Sequence, residues 1–145
     1  MKSTDPPVVI SENFRISRSA LWKAITVLEQ MREWFFEDIP AFEARVGFET
    51  SFAVKAPSMV FTHVWKIVEV IPEQKIVYDW SYSETNGRGQ VSFELEELTE
   101  GTKLTLTNLT IEDWPTDIPE FKSESAEAGW NFFIKESLKT YLTNK

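Results

Sequence analysis

His63 is the single histidine of the sequence, and a large share of the ring-bearing side chains falls on segments that could be brought around it. An imidazole can hold the polar end of a ligand or move a proton near neutral pH. Packed and hydrogen-bonded in a core, the same residue would do neither. Trp65, Trp80, Phe93 and Trp130 are the candidates to surround an internal hollow, with Phe133 and Ile134 beside them. Tyr78, Tyr82, Asn108 and Ser137 join His63 as polar groups able to orient a ligand. A mostly apolar wall with a few placed polar groups is the composition of small-molecule pockets. The same rings could also pack against one another and leave no void, and the sequence keeps both outcomes open.

Other chemistries find less support. There is no cysteine, hence no thiolate nucleophile, disulfide or cysteine metal site. A Ser-His-Asp hydrolase would need a Gly-x-Ser-x-Gly elbow, which is absent, and Asp79 is expected to face away from His63. Gly87-Arg88-Gly89 lacks the further glycine and the following helix of a phosphate-binding loop and reads as a hairpin turn. No carboxylates are expected adjacent to His63 on its own face, so no metal and no other cofactor is expected. Fifteen basic against twenty-three acidic residues give a net charge of −8, which opposes nucleic acid and anionic membrane surfaces as partners. Acid is densest over residues 112–127, where Glu112, Asp113, Asp117, Glu120, Glu124 and Glu127 face only Lys122. That strip is either a solvated loop and helix start or a surface for a basic protein partner. The outer apolar positions Val64, Val68 and Val77 offer another such surface.

Strands must position these side chains. Residues 59–70, 75–84, 88–98 and 102–112 alternate apolar and polar with a period of two, broken at Pro72, Asn86-Gly87 and Gly101. A two-residue Asn-Gly loop predicts a type I′ hairpin with Tyr82 opposite Val91, Trp80 opposite Phe93 and Tyr78 opposite Leu95. Glu100-Gly101 likewise sets Phe93 opposite Asn108 and Leu95 opposite Leu106. An even loop around Pro72 sets His63 opposite Tyr82, Trp65 opposite Trp80 and Ile67 opposite Tyr78. All three turns have the same parity, so one face is aromatic. Across the other face Lys66 meets Asp79 as an expected ion pair.

The remaining segments complete an α+β chain. Residues 8–16 read as a strand, and Ser17 or Ser19 caps a short helix through Leu21, Trp22 and Ile25. Thr26 and Glu29 have capping-box spacing for a second helix to about Phe36, with Val27, Met31, Trp34 and Phe35 on one side. Residues 42–55 alternate again, and an even turn at Ala56-Pro57 places Phe52 beside Phe61. Pro115 and Pro119 make residues 113–120 a connection. The longest helix starts between residues 120 and 125 and runs to about Leu142. Its stripe of Ala126, Gly129, Trp130, Phe133, Ile134, Ser137, Leu138 and Tyr141 should cover the sheet's aromatic face. A single domain over 1–145 is expected, with residues 1–7 flexible. Asp5, Pro6 and Pro7 interrupt any secretory leader, and no segment is long enough to span a bilayer, so the expected location is cytoplasmic.

Several motifs carry a family likeness: residues 34–40 (WFFEDIP), 42–48 (FEARVGF), 65–72 (WKIVEVIP), 78–82 (YDWSY) and Gly129-Trp130. In order and spacing they resemble the homologues of the heat-shock-protein-90 ATPase activator, over residues 14–142. The resemblance implies the helix-grip fold of the START and birch-pollen-allergen (SRPBCC) superfamily, a curved antiparallel sheet of about six strands wrapped around a long C-terminal helix. It implies function more loosely. The eukaryotic activators carry a further N-terminal domain for which 145 residues leave no room. The leading expectation is a non-enzymatic protein, monomer or homodimer, that binds a small hydrophobic or aromatic ligand between sheet and helix. The alternative is a module that meets a chaperone or other protein. A third reading is a lyase or cyclase with His63 or Tyr82 moving protons.

Overall fold

Period-two alternation produces six strands in one antiparallel sheet of order β1-β6-β5-β4-β3-β2. They are β1 (Val8–Phe14), β2 (Glu49–Lys55), β3 (Val60–Ile71), β4 (Lys75–Tyr82), β5 (Arg88–Leu98) and β6 (Gly101–Glu112). Helices α1 (Arg18–Thr26) and α2 (Leu28–Trp34) lie between β1 and β2 in the chain. After β6 a 3-10 turn (Pro119–Phe121) leads into a continuous C-terminal helix, built of α3 (Ser123–Asn131), a π-helical stretch (Phe132–Leu138) and α4 (Lys139–Thr143). This computed structural model describes residues 1–144, so Lys145 of the expected domain lies outside the described residues. The architecture is the α+β helix-grip arrangement that the motifs implied. Among the described residues no helix is long and apolar enough to cross a membrane.

The sheet registers agree with expectation at one hairpin and differ by even steps at three. Between β3 and β4, His63 pairs with Tyr82, Trp65 with Trp80 and Ile67 with Tyr78, as read from the sequence. Beyond them the register shifts between Ile67 and Glu69, setting Glu69 against Val77 rather than Ile76. Ile76, Val77 and Tyr78 are consequently all buried, which removes Val77 from the outer apolar surface. Between β4 and β5 the expected tight turn is replaced by a wider loop. Tyr78 pairs with Val91, Ile76 with Phe93 and Trp80 with Gly89. Gly87 has φ +109° but Asn86 does not share the left-handed region that a type I′ turn demands of both residues. The Glu84 carboxylate instead reaches across to the Thr62 N–H (2.7 Å) and hydroxyl (2.5 Å), holding the loop against β3.

Between β5 and β6 the turn sits one residue earlier than expected, with Leu98 paired to Gly101 and Phe93 to Leu106. Asn108 therefore faces Val91. Phe52 pairs with His63, not Phe61. Residues 42–48 are loop rather than strand: Gly47 turns with φ +91° and Val46 is 59% exposed. The expected Lys66–Asp79 ion pair is replaced. The two residues are cross-strand partners, but the Asp79 carboxylate accepts from Arg88 at 2.7 Å.

Ser17 caps α1, its Oγ accepting the Ala20 N–H at 3.1 Å. The Thr26–Glu29 capping box does not form, because Thr26 Oγ1 donates back to the Trp22 carbonyl at 2.6 Å. Trp34 Nε1 donates to the Ala24 carbonyl at 2.7 Å and fixes the corner between α1 and α2. From the C-terminal helix, Trp130, Ile134 and Leu138 are buried in the core, while Ser137 Oγ donates to the Trp34 carbonyl at 2.6 Å. Lys135 and Lys139 tie the same helix to β1 through the Ser11 and Asn13 carbonyls. At the start of the chain, where flexibility was expected over residues 1–7, Met1 donates its ammonium to the Phe121 carbonyl at 2.7 Å. Its own carbonyl accepts the Trp114 N–H at 3.0 Å, and the Ser3 N–H meets Asp113 at 2.7 Å.

Candidate functional site

The rings singled out in the sequence do come together. Trp65 and Trp80 lie 5.0 Å apart between ring centroids, Trp80 and Trp130 5.7 Å, and Phe93 and Trp130 6.1 Å. Their common centre is occupied. Phe35, just past the end of α2, contacts Trp65 (5.6 Å), Trp80 (6.3 Å), Phe93 (6.2 Å) and Trp130 (5.8 Å) at once. The chain leaves the helix at this residue, with φ −104° and ψ −105°, and so turns the ring inward instead of continuing the α2 stripe.

The space that remains lies beside this plug, toward the end of the sheet that carries the β4–β5 loop. It is a cavity of about 140 Å³. Its floor is formed by Trp80, Gly89, Val91 and Asn108, with His63 and Tyr82 along one wall and Phe36 next to the plug. The C-terminal helix contributes Trp130 and Phe133, and Ala126 and Gly129 near the surface. A Cβ on Gly129 would meet nothing within 4 Å, so this glycine borders open space rather than permitting a close approach.

The outer end is capped by Trp114 and Phe121, with Met1 and Glu120 at the mouth. Trp114 and Phe121 stand 4.9 Å apart and both touch Tyr82, forming a second apolar cluster with Phe61. The indole of Trp114 rests on Gly87 of the β4–β5 loop and Gly89 near the start of β5: a Cβ on Gly87 would come within 2.5 Å of it and one on Gly89 within 3.4 Å. Glu120 holds the cap to the β2–β3 turn by accepting from Ser58 N–H (3.1 Å) and Oγ (2.5 Å).

Polar groups at the cavity are sparse and only partly satisfied. His63 is buried, with Nδ1 3.2 Å from the Phe61 carbonyl and its ring stacked on Phe52 at 5.0 Å. Burial lowers its imidazole to about 4, against smaller raising effects of the Phe61 carbonyl and the Glu84 carboxylate. Tyr82 is pushed up to about 12 by burial, partly offset by the Trp80 Nε1–H that its oxygen accepts at 2.9 Å. The imidazole is thus neutral and the phenol protonated at pH 7. Trp114 Nε1–H is buried without an acceptor among the described residues, and the Asn108 amide makes no side-chain hydrogen bond there.

Of the residues read from the sequence as cavity-lining, His63, Trp80, Tyr82, Asn108, Trp130 and Phe133 border this space. Trp65, Tyr78, Phe93 and Ile134 lie behind them in the solid core, and Ser137 is engaged with the Trp34 carbonyl. Tyr78 is fully buried and its hydroxyl, raised by desolvation, has no partner among the described residues, nor has Trp65 Nε1. Phe35, Phe36, Trp114 and Phe121 are the residues that sequence reasoning missed as parts of the site. Two aromatics flanking prolines in an otherwise acidic connection were the available signal for the cap. The acidic strip is partly used within the chain: Glu112 faces Arg88 at 3.7 Å, Asp113 binds Ser3 and Glu120 binds Ser58. Among the described residues no cluster of three or more His, Asp or Glu side chains could hold a metal ion.

Known proteins share this framework. The protein MLL2253 from Mesorhizobium loti is similar with a TM-score of 0.77 at 21% identity, covering 97% of this chain and 98% of that one. The Aha1 dimer from Colwellia psychrerythraea is similar with a TM-score of 0.72 at 18% identity, covering 95% and 94%. DynU16, from the dynemicin biosynthetic locus, gives 0.76 at 21% identity over 96% of this chain, which spans only 48% of that protein's length. These likenesses show the fold. No curated protein is a significant match. The family described as Activator of Hsp90 ATPase homolog 1-like protein matches residues 15–143, nearly the whole of the grip from the end of β1 to the last helical turn. The chain belongs to that family.

Proposed function

We propose that this protein binds a small apolar molecule in the cavity between β3–β6 and the C-terminal helix, beneath Trp114 and Phe121. The observation that carries the reading is an aromatic-walled space bordered by a few polar side chains, His63, Tyr82 and Asn108, and by Trp114, whose Nε1–H has no acceptor among the described residues, the composition of ligand pockets. Its size sets the scale of the occupant. An engineered apolar cavity of about 150 Å³ takes up benzene, so a space of about 140 Å³ suits a single ring. Binding is favoured over proton-transfer chemistry because His63, lowered to about 4, is a weak base, and Tyr82, raised to about 12, holds its proton.

Trp80, Trp114 and Trp130 border the space, so occupancy should quench tryptophan emission. Titration with single-ring lipophiles should give saturable quenching that Trp130→Phe alters. Unchanged emission and unchanged amide shifts at Gly89 and Val91 across a panel of such compounds would count against the reading. Family membership supports chaperone contact as a second reading. Retained chaperone capture after charge reversal at Glu124 and Glu127 would show that the acidic strip does not mediate it.

A further inference from the structure

We propose that the ligand is a neutral, single-ring aromatic whose hydroxyl hydrogen is donated to His63 Nε2. This rests on the small-molecule reading above and narrows it. The Phe61 carbonyl can only accept, so the imidazole nitrogen 3.2 Å from it, Nδ1, carries a proton. A neutral imidazole has just one, which leaves Nε2 as a bare lone pair with no partner among the described residues. His63 lines the aromatic-walled space, so its free acceptor can take a hydrogen bond from a donor placed there.

The neighbouring phenol supplies the reciprocal requirement. Tyr82 oxygen already accepts the Trp80 Nε1–H, and its own hydrogen has no acceptor among the described residues. A hydroxyl satisfies both sides, since it donates and accepts. An ether would only accept, and a methyl group would do neither. The ring of such a ligand meets the faces and edges of Trp80, Trp130 and Phe36, where aromatic contacts add to simple burial.

Charge complementarity argues for a neutral compound. Among the described residues no lysine or arginine side chain lines the space. The charges at its mouth are already engaged, the Met1 ammonium with the Phe121 carbonyl and the Glu120 carboxylate with Ser58. A carboxylate or ammonium ligand would be desolvated without a counter-charge inside.

The test uses phenol, toluene and benzoate on the full chain and on His63→Phe, which removes the acceptor and keeps an aromatic ring. The variant is expected to weaken phenol about threefold to tenfold, the range of one hydrogen bond, while toluene stays within about twofold. Equal losses for phenol and toluene would overturn the role of Nε2 and leave the cavity reading standing. Benzoate binding tighter than phenol would overturn the neutral class. Absence of binding by all three would remove the underlying reading as well. Because the variant could fail to fold, the wild-type chain carries an independent arm: the His63 Nε2 nitrogen-15 resonance should move on saturation with phenol and not with toluene. An unmoved resonance would refute the proposal.

Discussion

Replacing His63 by Asn should flatten the acid side of the stability curve. Asn keeps a donor that can reach the Phe61 carbonyl but cannot titrate. In the folded wild type the imidazole is lowered by burial from 6.5 to about 4. Above about pH 6.5 it is neutral whether folded or unfolded and contributes no slope. Between pH 6.5 and about 4 the unfolded chain takes up a proton that the folded chain refuses, so stability falls as pH falls. Below about 4 both states are protonated and this slope ends. The gap, at about 1.4 kcal/mol per pH unit, corresponds to roughly 3 kcal/mol lost across that window. Urea unfolding followed by tryptophan emission at half-unit pH steps measures it. The carboxylates titrate in both proteins, so the wild-type curve minus the His63→Asn curve isolates the imidazole. Parallel curves, or a His63 proton titrating near 6.5 by NMR, would refute the assignment of a desolvated neutral ring.

Phe35→Ala should cost about 3–5 kcal/mol, as for other buried Phe truncations, and join the vacated centre to the existing cavity; a two-ring compound such as naphthol should then bind the variant and not the wild type, by calorimetry. Tyr78→Phe deletes a buried hydroxyl that has no partner among the described residues, so chemical denaturation should show no loss or a gain of about 1 kcal/mol. A double-mutant cycle on Arg88 and Asp79 should return coupling of about 0.5–1 kcal/mol, and the cycle on Lys66 and Asp79 close to none; the reverse ranking would restore the pairing expected from register alone.

The faces of the sheet were legible because parity is robust. The β4–β5 register differs from expectation by an even step, yet Tyr78, Trp80, Val91 and Phe93 still point inward. An even slip keeps every side chain on its face, so alternation cannot detect it. What was lost is which residue stands opposite Trp80. It is Gly89 rather than Phe93, and the missing side chain is part of what leaves room there. The plug was illegible for a related reason. Helical periodicity assigns Phe35 to the α2 stripe, whereas the backbone departs from the helix at that residue and aims its ring at the centre of the sheet face. The cap was hidden because Trp114 and Phe121 sit in a proline-bearing, acidic connection where local pattern predicts only a link. Their burial depends on Gly87 and Gly89, more than twenty residues earlier in the chain, leaving a bed for the indole.

The grip and the cap are held by different means. Strands and long helix are joined through a continuous core, while residues 113–121 reach the rest of the protein through a few rings and the ties of Glu120 to Ser58 and of Met1 to Trp114 and Phe121. Segments with so few anchors open far more often than the whole molecule unfolds. If the proposed small-molecule binding holds, uptake and release need only a brief excursion of one short stretch, and substitution of Ser58 or Glu120 should change residence time while the thermal midpoint of the protein barely moves.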